Sequence, residues 1–401
     1  MLAVINAHIL TITQGEIENG TILIENGKIV QVGSNITVAE DIDILDVEGA
    51  YVMPGLVDAH TAVGLKQEGM RWEGDDRNEN TRGPIMPHLS ALDGFCPEDE
   101  VIYDAMENGI TTVVSAPGTA NVIGGQAAIF KMQERATADD LYQGVVGMQA
   151  ALGEDPKGAW RNQKKLPSTR MGAAFVLREA LCKAKEYREK VARGDANPDR
   201  MPERDLQSEA LAKVVTGEMP LYVHAHRADD MATALRIAKE FGLRLVVTSA
   251  TEAHKLAGAI KAADVPVVLG PISNSRMSVE TAARTIRTPA LLHAAGVKFA
   301  LTTNHPETPL LTLTMQAGLA VRGGLCPEAA LKAITLYPAE IIGMADKIGS
   351  IEVGKDADLA IWDGHPLKVR SSVLATFVKG ELVFEFGCNC DWEDIEGCDC
   401  H

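Results

Sequence analysis

The stretch PGLVDAHTAVGL, residues 54–65, reads as a buried strand whose end carries chemistry. An apolar run leads into Asp58-Ala59-His60 and continues Thr61-Ala62. Side chains alternate along a strand with period two, so positions 60 and 62 face the same way. Two histidines there would form a metal-binding pair. This chain has one imidazole and one methyl group.

Outward from that strand, the middle of the chain alternates apolar, β-branched runs with helical stretches. TTVVSAP follows a helix near 98–109, and LYQGVVGMQAAL precedes a long helix at about 170–193. PLYVHAH leads into the helix RADDMATALRIAKEFG, and LRLVVTS is followed by a helix at 252–263. VPVVLG, another helix and VKFALTTN complete the series. Strands recurring between helices predict a parallel sheet closed as a distorted (β/α)₈ TIM barrel, with functional residues where the strands end. The two chain ends differ in texture. Residues 1–52 read as short strands, with a hairpin signal at Asn26-Gly27, and residues 346–386 repeat it with a turn at Lys379-Gly380. The expected organisation is a composite β-sandwich from 1–52 and 346–386, a barrel over 53–345, and a Cys-rich tail, 387–401.

Composition narrows the function. Of the 401 residues, 46% are hydrophobic and 23% charged, as in ordinary globular proteins. A formal charge of −17 argues against nucleic acid or anionic membrane as a partner. No basic leader precedes the first apolar run and no uncharged apolar stretch reaches membrane-spanning length, so a cytoplasmic location is expected. Cys96, Cys182 and Cys326 read as free buried thiols.

The strand ends supply His60, Ser115, Gln149, His224 with His226, Ser249, Pro271 and Asn304 with His305. At these residues the chain resembles the amidohydrolase superfamily, and most closely its imidazolonepropionase-like branch. The resemblance rests on PGLVDAH, GITTVV, VHAHRADD, FALTTNHP and GSIEVGKDADLAIWDG. It covers nearly the whole chain and implies a hydrolase of non-peptide, cyclic C–N bonds in small molecules. It also implies a divalent metal site, here expected to be degenerate. Where the family has a second strand-one histidine, this chain has Ala62. Where the family has a bridging lysine or glutamate, it has Gln149, with Glu154 nearby. The strand-five histidine is matched by His224. Ser249 takes the place of the strand-six histidine, and Asn304 that of the aspartate that binds metal and acts as general base. Alanine offers no lone pair, serine is a poor neutral ligand, and asparagine can neither supply charge nor take a proton from water.

The candidate catalytic residues are therefore His60, His224 and Asn304, with His226, His305, Gln149 and Asn121 as substrate contacts. Asn121 opens NVIGGQ, where a glycine pair would let backbone approach a ligand. Three readings of His60 and His224 stay open. They are hydrogen-bonded interior histidines, ligands of one Zn-type ion rebuilt with His226, Glu154 or His305, or a metal-free acid/base pair. His254 reads as structural, and residues 72–84 as a solvated loop over the barrel mouth. A homo-oligomer is a further expectation from the resemblance.

The tail FGCNCDWEDIEGCDCH has no counterpart in that resemblance. Cys388, Cys390, Cys398 and Cys400 lie symmetrically about Asp394, and a hairpin turning there would put four sulfurs on one face beside His401. That arrangement suits Zn²⁺, Cu(I) or an iron–sulfur cluster. Two disulfides, or an acidic tail recognised by another protein, are the alternatives.

Overall fold

The computed structural model describes residues 1–79, 83–161 and 163–387. The tail cysteines Cys388, Cys390, Cys398 and Cys400, and His401, lie outside these described residues.

The N-terminal strands are β1 (Leu2–Leu10), β2 (Glu16–Glu25), β3 (Lys28–Gly33), β4 (Asp43–Asp46) and β5 (Tyr51–Pro54). The barrel strands are β6 (Leu56–Thr61), β7 (Ile110–Ser115), β8 (Ile123–Lys131), β9 (Tyr142–Ala151), β10 (Leu221–Ala225), β11 (Leu245–Ser249), β12 (Val267–Leu269) and β13 (Phe299–Leu301). The C-terminal strands are β14 (Leu359–Trp362), β15 (Val373–Val378) and β16 (Glu381–Glu385).

Both chain ends join in one mixed sheet, ordered β16-β15-β14-β5-β1-β2-β3, with β4 pairing the free half of β1. It encloses its own core, including Val4, Ile22, Ile29, Val52, Leu359 and Phe377. The Asn26-Gly27 and Lys379-Gly380 turns both have positive φ at each central residue, which matches the twist of the strands they connect.

The second sheet runs β13-β12-β11-β10-β9-β8-β7-β6 in spatial order and forms a nearly closed eight-stranded barrel. One feature departs from the all-parallel expectation: β8 is antiparallel to both β7 and β9. The glycine pair of NVIGGQ lies at its beginning. A strand buried along nearly all its length carries no mark of its direction, so the reversal was not legible. Asp58 helps join the first strand to the segment just after the last, beside the bond from Ala62 N to His305 O (2.8 Å). Its buried carboxylate accepts from Thr302 Oγ1 (2.5 Å), Thr303 N (2.9 Å) and Thr303 Oγ1 (2.7 Å).

The thiol expectation is corrected in part. Cys96 is half-buried, while Cys182, on the outer face of the helix Arg170–Ala196, and Cys326 are exposed. Among the described residues no helix is long and apolar enough to cross a membrane.

Candidate functional site

The strand ends open into a cavity of about 370 Å³. His60, His224, His226, Asn304 and His305 line it, together with Glu154. His60 comes from the end of β6, His224 from β10 and His226 from just beyond it, while Asn304 and His305 follow β13. Gln149 on β9 is fully buried and reaches His60 from behind. Asn304 has φ of +50°, a left-handed conformation that asparagine tolerates better than most residues.

The hydrogen bonds around His60 fix its state. Asn304 directs its amide N–H at Glu307 Oε2 (2.9 Å), so its oxygen faces His60 Nδ1 (2.9 Å) and accepts from it. Burial, and next the neighbouring His224, lower the His60 pKa to about 4, leaving one proton at neutral pH. That proton sits on Nδ1, and Nε2 is a bare acceptor. Nε2 lies 3.2 Å from the Gln149 side-chain oxygen, while the Gln149 NH₂ is buried without a partner. Turning that amide end for end lets the NH₂ donate to Nε2 and moves the amide oxygen to the position without a partner.

The other imidazoles are held differently. His224 Nδ1 pairs with Ser249 Oγ at 3.0 Å, and its Nε2 stands 3.4 Å from Asp155 Oδ2 without making a hydrogen bond. Asp155 accepts from Thr119 Oγ1 at 2.6 Å. His226 Nδ1 pairs with Thr251 Oγ1 at 2.7 Å, and its ring meets His224 edge-on. Burial, with help from His224 and Arg284, keeps the His226 pKa well below the usual histidine range. His305 is buried with both ring nitrogens unpartnered, and burial lowers its pKa to about 4.

The candidate Asn121 stands apart from this group, as does His254, which the sequence assigned a structural place. Asn121 is fully buried and donates to Asn78 O (2.6 Å), and it is not among the residues lining the cavity. His254 pairs with Thr288 Oγ1 at 3.1 Å outside the cavity. Arg77, Glu79, Asp155 and Glu307 line the cavity but were not singled out from sequence. Arg77 and Glu79 belong to the 72–84 loop, which therefore contributes to the cavity wall. Asp155 is the second residue of the helix Glu154–Arg161, four residues beyond the end of β9, and no strand end marks it in the sequence.

The five side chains linked at the strand ends are two imidazoles, two amides and a hydroxyl, none of them anionic, and the Asp155 carboxylate stands 3.4 Å from His224 beside them. Among the described residues no three His, Cys, Asp or Glu side chains converge as metal ligands would.

Comparison with known proteins fixes the lineage. A model of the amidohydrolase family matches residues 51–383. The amidohydrolase tasK of Hapsidospora irregularis is 26% identical over 395 residues, which is 91% of this chain but 40% of that protein. This chain thus spans less than half the length of that relative. An imidazolonepropionase of Brucella anthropi is 26% identical, covering 97% of this chain and 96% of its own. The crystal structure of an amidohydrolase from Thermotoga maritima MSB8 superposes with a TM-score of 0.93 at 40% identity, covering 96% of this chain and 100% of the other. The chain belongs to the amidohydrolase family.

Proposed function

We propose that this chain is a small-molecule-binding amidohydrolase-family protein whose barrel does not hold the family's usual metal pair. The observation that carries the reading is His60. One ring nitrogen is bonded to Asn304, the other faces Gln149, and neither neighbour is a carboxylate. Family membership, and similarity to a protein named imidazolonepropionase, point to ligands with amide or imidazolone groups. A cavity of about 370 Å³ suits such molecules.

The residues bind more readily than they hydrolyse. A catalytic metal lowers the pKa of its bound water from about 15.7 to about 7. An imidazole with a pKa of about 4, as in His60 and His305, is a weak base for that task. His60 and His224 are therefore proposed as orienting groups, with Asn304 and Gln149 holding His60 and with His226 and His305 as ligand contacts.

Elemental analysis of the full chain, alongside a variant with Cys388, Cys390, Cys398 and Cys400 all changed to Ser, tests this. The expected outcome is no stoichiometric metal in the variant, and turnover of cyclic amides that is near background and insensitive to chelators. Metal that survives the cysteine changes and vanishes in His224→Ala would overturn the reading. One observation favours that competing single-metal site: Asp155 Oδ2 is only 3.4 Å from His224 Nε2 and could join it on an ion. Metal lost with the cysteines would assign it to the tail.

A further inference from the structure

The cavity's lining is unbalanced in charge. Glu79, Glu154, Asp155 and Glu307 face it, against one guanidinium, Arg77. Arg77 is already committed, donating to Asp75 through Nε (2.8 Å) and Nη2 (2.9 Å), and it stands 3.9 Å from Glu79. Glu307 is matched by Arg284 Nη2 at 2.5 Å. Among the described residues Asp155 has only the Thr119 hydroxyl as a hydrogen-bond partner. No hydrogen bond or ion pair holds the Glu154 carboxylate among the described residues.

Unused imidazole nitrogens border the same space. His224 Nε2, on a side chain only 5% exposed, has no hydrogen-bond partner and stands 3.4 Å from Asp155 Oδ2. Both ring nitrogens of His305 are likewise unpartnered. A buried polar atom without a partner is costly. His224 Nε2 accepts a hydrogen bond when Nδ1–H donates to Ser249 Oγ, and neutral His305 offers one acceptor and one donor.

We propose that the cavity selects a small organic cation, a primary ammonium or guanidinium, whose N–H groups meet Asp155, Glu154 and His224. This inference rests on the reading of the cavity as a small-molecule site. No three potential metal ligands cluster among the described residues, so the negative groups do not converge on one point. Several N–H donors on an organic ion match that spread better than a metal ion does.

The test measures binding of three amides of similar length to the full chain by calorimetry. They are 4-aminobutyramide, pentanamide and succinamate, which are cationic, neutral and anionic in turn. The cation is expected to bind about tenfold tighter than the other two, and to lose about tenfold in the Glu154→Gln/Asp155→Asn double variant. Added salt weakens that preference. The single variants guard against misfolding of the double one, and unchanged melting curves certify each. If the neutral or anionic amide binds as tightly as the cation, or the variants leave cation binding intact, the charge inference falls while the pocket reading stands. If none of the three binds at millimolar concentration, the pocket reading fails and takes the inference with it. Stoichiometric Zn²⁺ binding that the same variants abolish would reassign these carboxylates to a metal.

Discussion

At the scale of the residue, the site is governed by which partner each imidazole nitrogen has. Asn304→Asp would set a carboxylate against His60 Nδ1–H, 2.9 Å away in the native chain. An opposite charge at that distance raises a histidine pKa by roughly one to three units, so the His60 titration should climb from about 4 toward the ordinary range. An NMR titration of the His60 ring that stays near 4 in the variant would refute the assigned contact. Buried neutral histidines also set a pH dependence. Burial lowers the folded pKa values of His60 and His305 to about 4, below the ordinary histidine value of 6.5. Their contribution to stability is complete above pH 6.5 and is lost as pH falls through 6.5 toward 4, at about 1.4 kcal/mol per pH unit for each. Glu280 works the other way. Burial raises its pKa to about 7, so its contribution is present below pH 4.5 and lost as pH rises through 7. His305→Phe should therefore flatten the acid limb of a urea-midpoint profile by about one proton, and an unchanged slope would argue against a neutral buried His305.

At the scale of the element, strand ends were the legible part of the site. His60 and His224 could be placed from sequence because an apolar run stops at each, and Gln149 because it ends a similar run. Asp155 could not, because it belongs to the first turn of a helix rather than to a strand. The amide orientation of Asn304 was also invisible, since Glu307, three residues on, determines it. The hairpins were legible from Asn-Gly and Lys-Gly, whose backbone demands are local. The direction of β8 depends on its neighbours across the sheet and leaves no local trace. Asp58 belongs to the same inward face as His60, two residues earlier, and its role in joining β6 to β13 emerges only in three dimensions. Burial raises its pKa, which its hydrogen-bond donors partly oppose. Asp58→Ala removes one acceptor and orphans several donors, at roughly 1–3 kcal/mol per buried group. The thermal midpoint should fall by several degrees or more, and ligand binding should weaken with it because Asn304 follows the released segment. A variant that melts like the native chain would show that the barrel closes without this carboxylate.

At the scale of the whole molecule, the reversed strand β8 ends where barrel and terminal sheet meet. Its last residue, Lys131, is 1% exposed, and its Nζ pairs with Asp358 Oδ2 and lies 3.6 Å from Asp356 Oδ2. Lys28 of the terminal sheet reaches the other oxygen of Asp356 at 2.5 Å, and Asp358 Oδ1 accepts from Lys379 N at 2.8 Å. A buried ion pair adds little net stability over a well-packed apolar pair, but removing one member leaves an uncompensated charge that costs about 3–5 kcal/mol. Lys131→Met should therefore destabilise the chain by that amount and loosen the terminal sheet from the barrel. The expected sign is a urea transition that splits into two, with the terminal sheet melting first. Adding Asp358→Leu removes the charge left behind and should restore part of the loss, since apolar replacement of both partners is often neutral. If the double variant is as unstable as the single one, the packing of Lys131 rather than its charge holds the two sheets together. A single unshifted transition in Lys131→Met would mean that the apolar contacts suffice and that the reversed strand owes its place to the barrel alone.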